Sequence, residues 1–227
     1  MKIGIVTFYC VSNYGAMLQA YALQSFLQAR GHEVVFIRSE LSVRRYFLPL
    51  WRFLGARSLR NWINKIKMLP ENGRAYKMWN EVTCPFVRSK LNGTLTAVSK
   101  GVLPEELVCD VYIVGADQMW HPWVSPYVRE AFLGFAPDGA RRIAYAVSFG
   151  GMDWTGELRK AVAEWMRKFD AISVREQAGV ERVKSISGCS AEWMPDPTLL
   201  HDAVFYGKLA DEAVATHTGE PFLFEYL

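Results

Sequence analysis

Apolar residues at Ile3, Ile5, Val6 and Phe8 fill residues 3–8 almost without a break, the pattern of a parallel strand covered on both faces. From residue 16 to residue 30 the period changes. Met17, Leu18, Tyr21, Ala22, Phe26 and Leu27 form a helical stripe, and Gly31 follows where a left-handed residue would end the helix. Residues 33–37 supply the next strand, so the first forty residues or so read as one β-α-β unit. Residues 111–114, 143–147 and 171–174 are further short apolar runs, each beside helical or glycine-rich sequence. Residues 158–169 predict an amphipathic helix that leads into the last of these strands, and another helix is predicted from Arg175 onward. The alternation predicts an α/β protein with a mostly parallel sheet and helices on both faces.

Two stretches break the alternation. Between residues 44 and 70, Arg44, Arg45, Arg52, Arg57, Arg60, Lys65 and Lys67 meet no acidic residue and are interleaved with Tyr46, Phe47, Trp51, Phe53 and Trp62. A surface for anionic lipid or an acidic glycan carrier is one reading. An inserted helical subdomain whose aromatics pack inward is favoured, because Pro49 and Gly55 interrupt any long amphipathic helix. The insertion is placed at about 41–107, inside a domain covering 1–210. At the far end Pro221 introduces a strand-like run over 222–226, so 211–227 reads as a linker and the first strand of a truncated second domain, with a last edge strand of the same sheet as the alternative.

Composition narrows the class. A chain of 227 residues with 51% hydrophobic and 22% charged residues can bury a full core, which excludes disorder. A net charge of +3 is far from the concentrated basic face that nucleic-acid binding uses, so no nucleic-acid partner is expected. Cys10, Cys84, Cys109 and Cys189 never form a C-x-x-C pair, and free thiols in a reducing cytoplasm fit best. Lys2, the apolar stretch after it and Ala20-Tyr21-Ala22 have some features of a signal peptide, but the polar break at residues 12–15 favours a strand. No apolar run reaches the ~18 residues that span a bilayer. The expected location is cytoplasmic, with peripheral membrane association left open by the basic aromatic segment.

Candidate chemistry lies where strands run into loops. After the first strand, Asn13, Tyr14 and Gly15 open a helix whose positive end suits an anion or a sugar hydroxyl, or else Asn13 merely caps that helix. No G-x-G-x-x-G is present, so a dinucleotide is not indicated. After the 111–114 strand come Gly115, Ala116, Asp117, Gln118, Met119, Trp120 and His121. Gly115 permits close backbone approach, Asp117 suits hydroxyl binding or base catalysis, Gln118 can donate or accept, and Trp120 suits stacking on a sugar ring. His121 is a proton carrier or a turn residue. Ser148, Gly150 and Gly151 form a small-residue loop suited to phosphate or sugar, or a plain turn. Arg175 stands just past a strand, either to clamp a carboxylate or phosphate or to pair with Glu176. Asp196, between Pro195 and Pro197, reads as the cap of a following helix. No His, Cys or carboxylate cluster has metal-ligand spacing, so no metal is expected.

In this order, Asn13-Tyr14-Gly15-Ala16 with Leu18-Gln19-Ala20-Tyr21-Ala22-Leu23, Val114-Gly115-Ala116-Asp117-Gln118-Met119-Trp120, Ala144-Tyr145-Ala146-Val147-Ser148-Phe149-Gly150, Ile172-Ser173-Val174-Arg175-Glu176 and Asp196-Pro197-Thr198-Leu199-Leu200 resemble the polysaccharide pyruvyl transferase family. The resemblance implies the N-terminal half of a two-domain fold like the GT-B glycosyltransferases, with an active cleft between Rossmann-like halves. It also implies transfer of a pyruvyl group from phosphoenolpyruvate to a glycan or lipid-linked glycan, with no cofactor beyond that donor. Arg175 then meets the donor's anionic groups, Asp117 and Gln118 meet acceptor hydroxyls or move protons, and Asn13 with Tyr14 line the acceptor edge. The resemblance further implies that this half does not catalyse alone. Rival readings are a nucleotide-sugar glycosyltransferase on the same frame and a non-catalytic glycan- or partner-binding module that uses Trp120, Trp123 and the basic aromatic segment. A Cys10 nucleophile is disfavoured, since no histidine lies near it in sequence.

Overall fold

In a computed structural model of the chain, residues 1–9, 13–39, 81, 84–91, 93–98 and 103–212 are described. Among them, seven strands form one sheet in the order β3-β2-β1-β4-β5-β6-β7, every pair parallel. The strands are β1 (Lys2–Val6), β2 (Glu33–Ser39), β3 (Gly93–Val98), β4 (Val111–Gly115), β5 (Arg141–Val147), β6 (Ala171–Val174) and β7 (Glu192–Trp193). The helices are α1 (Tyr14–Gln28), α2 (Cys84–Lys90), α3 (Val128–Ala131), α4 (Gly156–Met166), α5 (Gln177–Ser187) and α6 (Ala203–Asp211).

The near-continuous apolar runs of the inner strands have a simple cause: alternate residues enter two different cores. Ile3, Ile5, Val34, Phe36, Val111 and Ile113 point to one face, where Ala20 and Leu23 of α1 and Phe86 and Val87 of α2 meet them. Val6, Ile37, Tyr112, Val114, Val147 and Val174 point to the other, against Val162, Ala163 and Met166 of α4 and Val183 and Ile186 of α5. Each large side chain so buried contributes about 1.5–3 kcal/mol of transfer free energy. Helices therefore cover both faces, as the periodicity predicts.

Asn13 sets the start of α1. Its backbone is extended and its Oδ1 accepts from Ala16 N at 3.0 Å, satisfying one of the helix's orphan donors. At the other end Gly31 sits at φ 80°, the left-handed turn its position predicts.

Chain order reverses between β1 and β4. From β1 the sheet grows outward to β2 and β3, and from β4 it grows the opposite way to β7. Neighbouring loops therefore diverge there, and the carboxyl ends of β1 and β4 border a crevice, the position at which open parallel sheets hold ligands.

The span 41–107 is not wholly a helical insertion. β3 lies within it and is the edge strand beside β2 among the described residues, and α2 packs the half-buried Phe86 and Val87 against the core beside α1. The domain frame thus resumes before residue 107. The basic aromatic stretch at 44–70 and the strand-like run at 222–226 lie outside the described residues.

Candidate functional site

The carboxyl end of β4 turns sharply. Ala116 and Asp117 both take left-handed backbone, at φ 38° and 54°, and Ala146 in β5 does the same at φ 47°. Non-glycine residues held in such conformations cost on the order of 1–3 kcal/mol each and cluster at functional sites. Here a backbone lattice holds them. Ala116 N donates to Tyr145 O at 2.8 Å, Ser148 N to Asp117 O at 2.9 Å and Trp120 N to Ser148 O at 3.1 Å. The loops after β4 and β5 are thereby stitched into one surface.

Within that surface, Gln118 is exposed and Asp117 is partly covered, with Asp117 Oδ1 accepting from Gln118 N at 2.8 Å. Gly150, at φ 60°, lies so close to these side chains that a β-carbon on it would stand 2.6 Å from His121 Cδ2 and 3.1 Å from Gln118 Cδ. Arg182 of α5 holds the rest of this loop. It pairs with Asp153, donates to Gly151 O at 3.3 Å and places its guanidinium 5.5 Å from the Phe149 ring centre.

Arg175 follows β6, with its N–H on Val147 O and its carbonyl accepting from Trp193 Nε1 at 3.0 Å. Its Nε donates to Glu176 at 3.3 Å and its Nη1 to Asp196 Oδ2 at 3.0 Å. Asp196 Oδ1 accepts from both Thr198 N, at 3.0 Å, and Thr198 Oγ1, at 2.9 Å. Asp196 thus caps the short 3₁₀ turn Pro197–Leu200 as its position predicts, while also binding an arginine 21 positions away. That turn packs on α1, and His201 Nε2 lies 2.9 Å from Ala22 O.

The charges form one field. Burial raises the Asp117 carboxyl above its ordinary range, the Gln118 N–H and the charge of Arg175 pull it down, and the charge of Asp196 pushes it up. Burial works against the charge of Arg175, yet the hydrogen bonds to Asp196 and Glu176 outweigh it and hold the guanidinium above its usual value. Burial also raises the phenol of Tyr145, helped by the charge of Asp196. His121 is lowered by burial, and its Nδ1 accepts from Trp123 N at 3.0 Å, so the neutral ring carries its proton on Nε2.

Asp117, Gln118, Ser148, Gly150 and Arg175 are therefore brought together, as their positions after successive strands predict. Asn13, Tyr14 and Gly15 are exposed at the start of α1, on the β1 side of the crevice. The stacked Phe8 and Trp123 rings, 5.2 Å apart, tie the β1 loop to the turn after β4. Three expectations need correction. Trp120 is fully buried, stacked on Phe132 at 4.9 Å with its Nε1 on Ala131 O, so its ring offers no face to a sugar. Gly115 is buried in β4, and the close approach it permits is to Leu23 of α1, whose Cδ2 would lie 3.2 Å from an added β-carbon. Ser148 is buried too, its Oγ accepting from Gly150 N at 3.0 Å, which makes it a support of the loop.

Tyr145, Asp196 and Thr198 stand in the motifs that carry the family resemblance with no binding role assigned to them, Asp196 being read only as a cap, and the structure gathers them beside Arg175. A groove of about 630 Å³ borders Tyr145 along β5, β6 and β7, lined by Ser173, Glu192 and Met194 among others. It lies off the strand ends that carry Asp117 and Arg175. Among the described residues no cluster of His, Cys, Asp or Glu could hold a metal ion, and no helix is long and apolar enough to cross a membrane.

An open parallel sheet whose polar side chains gather at its carboxyl ends beside a switch point defines a Rossmann-like domain. Residues 13–220 match the model of the polysaccharide pyruvyl transferase family, and the chain belongs to that family. No curated protein is similar enough to the chain to count as a match.

Proposed function

We propose that the protein takes part in transfer of a pyruvyl group from phosphoenolpyruvate to a glycan hydroxyl in the making of an exopolysaccharide or cell-envelope glycan. The observation that carries this reading is a half-buried arginine, Arg175, held by Asp196 at 3.0 Å, whose charge also reaches the partly covered carboxyl of Asp117, which burial predisposes to hold a proton. Family membership supplies the reaction class.

The donor's chemistry sets what the site must do. A proton adds to the enol methylene carbon, leaving an electron-poor centre at the carbon that bears phosphate. A sugar hydroxyl attacks that carbon and loses its proton to a base. The carbon–oxygen bond to phosphate then breaks, and a second hydroxyl, also losing its proton, closes the ketal. The sum is phosphoenolpyruvate plus a diol giving a pyruvyl ketal plus inorganic phosphate.

In this reading Arg175 binds the donor's phosphate or carboxylate. Asp117, raised by burial, carries a proton to or from the reacting atoms, and Gln118 orients an acceptor hydroxyl. Asn13 and Tyr14 border the acceptor across the crevice, with the first turn of α1 adding its positive end. Trp120 is left out, since its ring is covered. A lipid-linked glycan is an acceptor that this scheme also accommodates.

The test is phosphate release from phosphoenolpyruvate by the longest natural polypeptide that contains this chain. It is measured with and without a panel of hexopyranosides bearing two neighbouring free hydroxyls. Release that depends on acceptor is expected. Turnover of nucleotide-sugars in place of phosphoenolpyruvate would replace the reading with glycosyl transfer, and binding of glycan without turnover of either donor would replace it with a binding module.

A further inference from the structure

The reading of Arg175 as the donor's anion contact leaves open how a long, flexible side chain is aimed. Of the five N–H groups on a guanidinium, Nε uses one on Glu176 and Nη1 one on Asp196, and Nη2 has no partner among the described residues. The two carboxylates are not equivalent anchors. Glu176 is 44% exposed and its bond is long at 3.3 Å, whereas Asp196 is 21% exposed and holds Nη1 at 3.0 Å. Asp196 is itself fixed, by two bonds from Thr198 and by prolines on either side.

Resting on that reading of Arg175, we propose that Asp196 is a positioning residue for the anion-binding arginine. Locked by Thr198, it grips one edge of the guanidinium and leaves Nη2 free for a phosphate or carboxylate. The strap 195–198 joins β7 to the turn over α1, so Asp196 reaches Arg175 from a different element than the strand end that carries it. The same strap accepts a long hydrogen bond from the Tyr145 hydroxyl, 3.4 Å from Pro195 O, and a short one from Tyr206, whose hydroxyl lies 2.6 Å from Thr198 O. The arginine is thus held between a strand end and a braced turn, and its rotamer freedom is removed before ligand arrives.

Plain charge repulsion makes the opposite prediction. If Asp196 acted only as a nearby negative charge, neutralising it would strengthen the binding of an anion. The sign of one substitution therefore separates the two.

Asp196→Asn keeps the volume and an oxygen for Thr198 while losing the ionic grip on Nη1. Calorimetric titration of phosphoenolpyruvate into the full polypeptide should show affinity weaker by roughly 10- to 30-fold, the scale of the arginine's rotamer freedom. Melting curves of each variant check that it is folded. In an Arg175→Ala background, Asp196→Asn should add less than about a twofold further loss, because a residue that acts through another has no effect once the other is gone. Tighter binding by Asp196→Asn overturns the proposal, as does an equal loss in both backgrounds, which would mark a general structural role. If Arg175→Ala alone leaves phosphoenolpyruvate binding unchanged, the donor reading of Arg175 falls and the positioning role falls with it. If Arg175→Ala abolishes binding but Asp196→Asn does nothing, only the positioning role falls.

Discussion

Gly150 and Gly151 offer a controlled test of the contact between the loops after β4 and β5. Both have positive φ, 60° and 77°, so alanine at either position carries the same kind of backbone cost, about 1–2 kcal/mol. They differ in what a β-carbon would meet. At Gly151 nothing lies within 4 Å, whereas at Gly150 it would stand 2.6 Å from His121 Cδ2 and 3.1 Å from Gln118 Cδ. The imidazole cannot swing away freely, because its Nδ1 is bonded to Trp123 N. Relieving that overlap should cost a further 1–3 kcal/mol or so. Chemical denaturation should therefore rank wild type above Gly151→Ala and Gly151→Ala above Gly150→Ala, with His121→Ala restoring part of the second loss. Equal destabilisation by the two alanines, or no rescue by His121→Ala, would show that the loops do not touch as described.

Asp117→Asn should stabilise the fold at neutral pH while lowering transfer activity on the order of 100-fold or more. Because burial raises the folded-state carboxyl above its unfolded value, the wild type loses stability as pH rises through the interval between the two. Asn escapes that loss and tolerates φ 54°. Melting temperature against pH checks this: the advantage of Asn should vanish below the ordinary carboxylate range, and an advantage that grows in acid would contradict it. Trp120→Ala should destabilise by about 3–5 kcal/mol, as removal of a fully buried ring does. A variant that melts normally but binds glycan weakly would return Trp120 to the binding surface. The Cys109 thiol, pushed up to about 11 by burial, should resist alkylation at pH 8 in the folded protein while the half-buried Cys84 and Cys189 react. Mass mapping of the labelled cysteines decides that.

The inner strands were legible because burial on two faces demands a nearly continuous apolar run, and β1, β4 and residues 143–147 of β5 supply one, with Ser173 the one polar residue of β6. β3 was not, since Thr94 and Thr96 alternate with small and apolar residues at an edge where one side needs no partner strand. β7 is two exposed residues, Glu192 and Trp193, too short for any period. In the site, the density of polar residues after β4 pointed to the right loop but not to its orientation. The left-handed turn at Ala116 and Asp117 leaves Gln118 outside while Met119 and Trp120 enter the core. The Arg175–Asp196 pair was out of reach for another reason. A contact across 21 positions depends on where β7 and the strap after it lie in space, and neither residue carries a local mark of its partner.

The central claim is that Arg175 holds the anionic groups of phosphoenolpyruvate. Steady-state kinetics of acceptor-dependent phosphate release, comparing wild type with Arg175→Ala, test it most directly. Loss of charge-assisted hydrogen bonds worth about 2–4 kcal/mol should lower kcat/KM for phosphoenolpyruvate by roughly 30- to 1000-fold and leave the KM for the glycan within about twofold. Unchanged use of phosphoenolpyruvate, or a defect confined to the glycan, would contradict it.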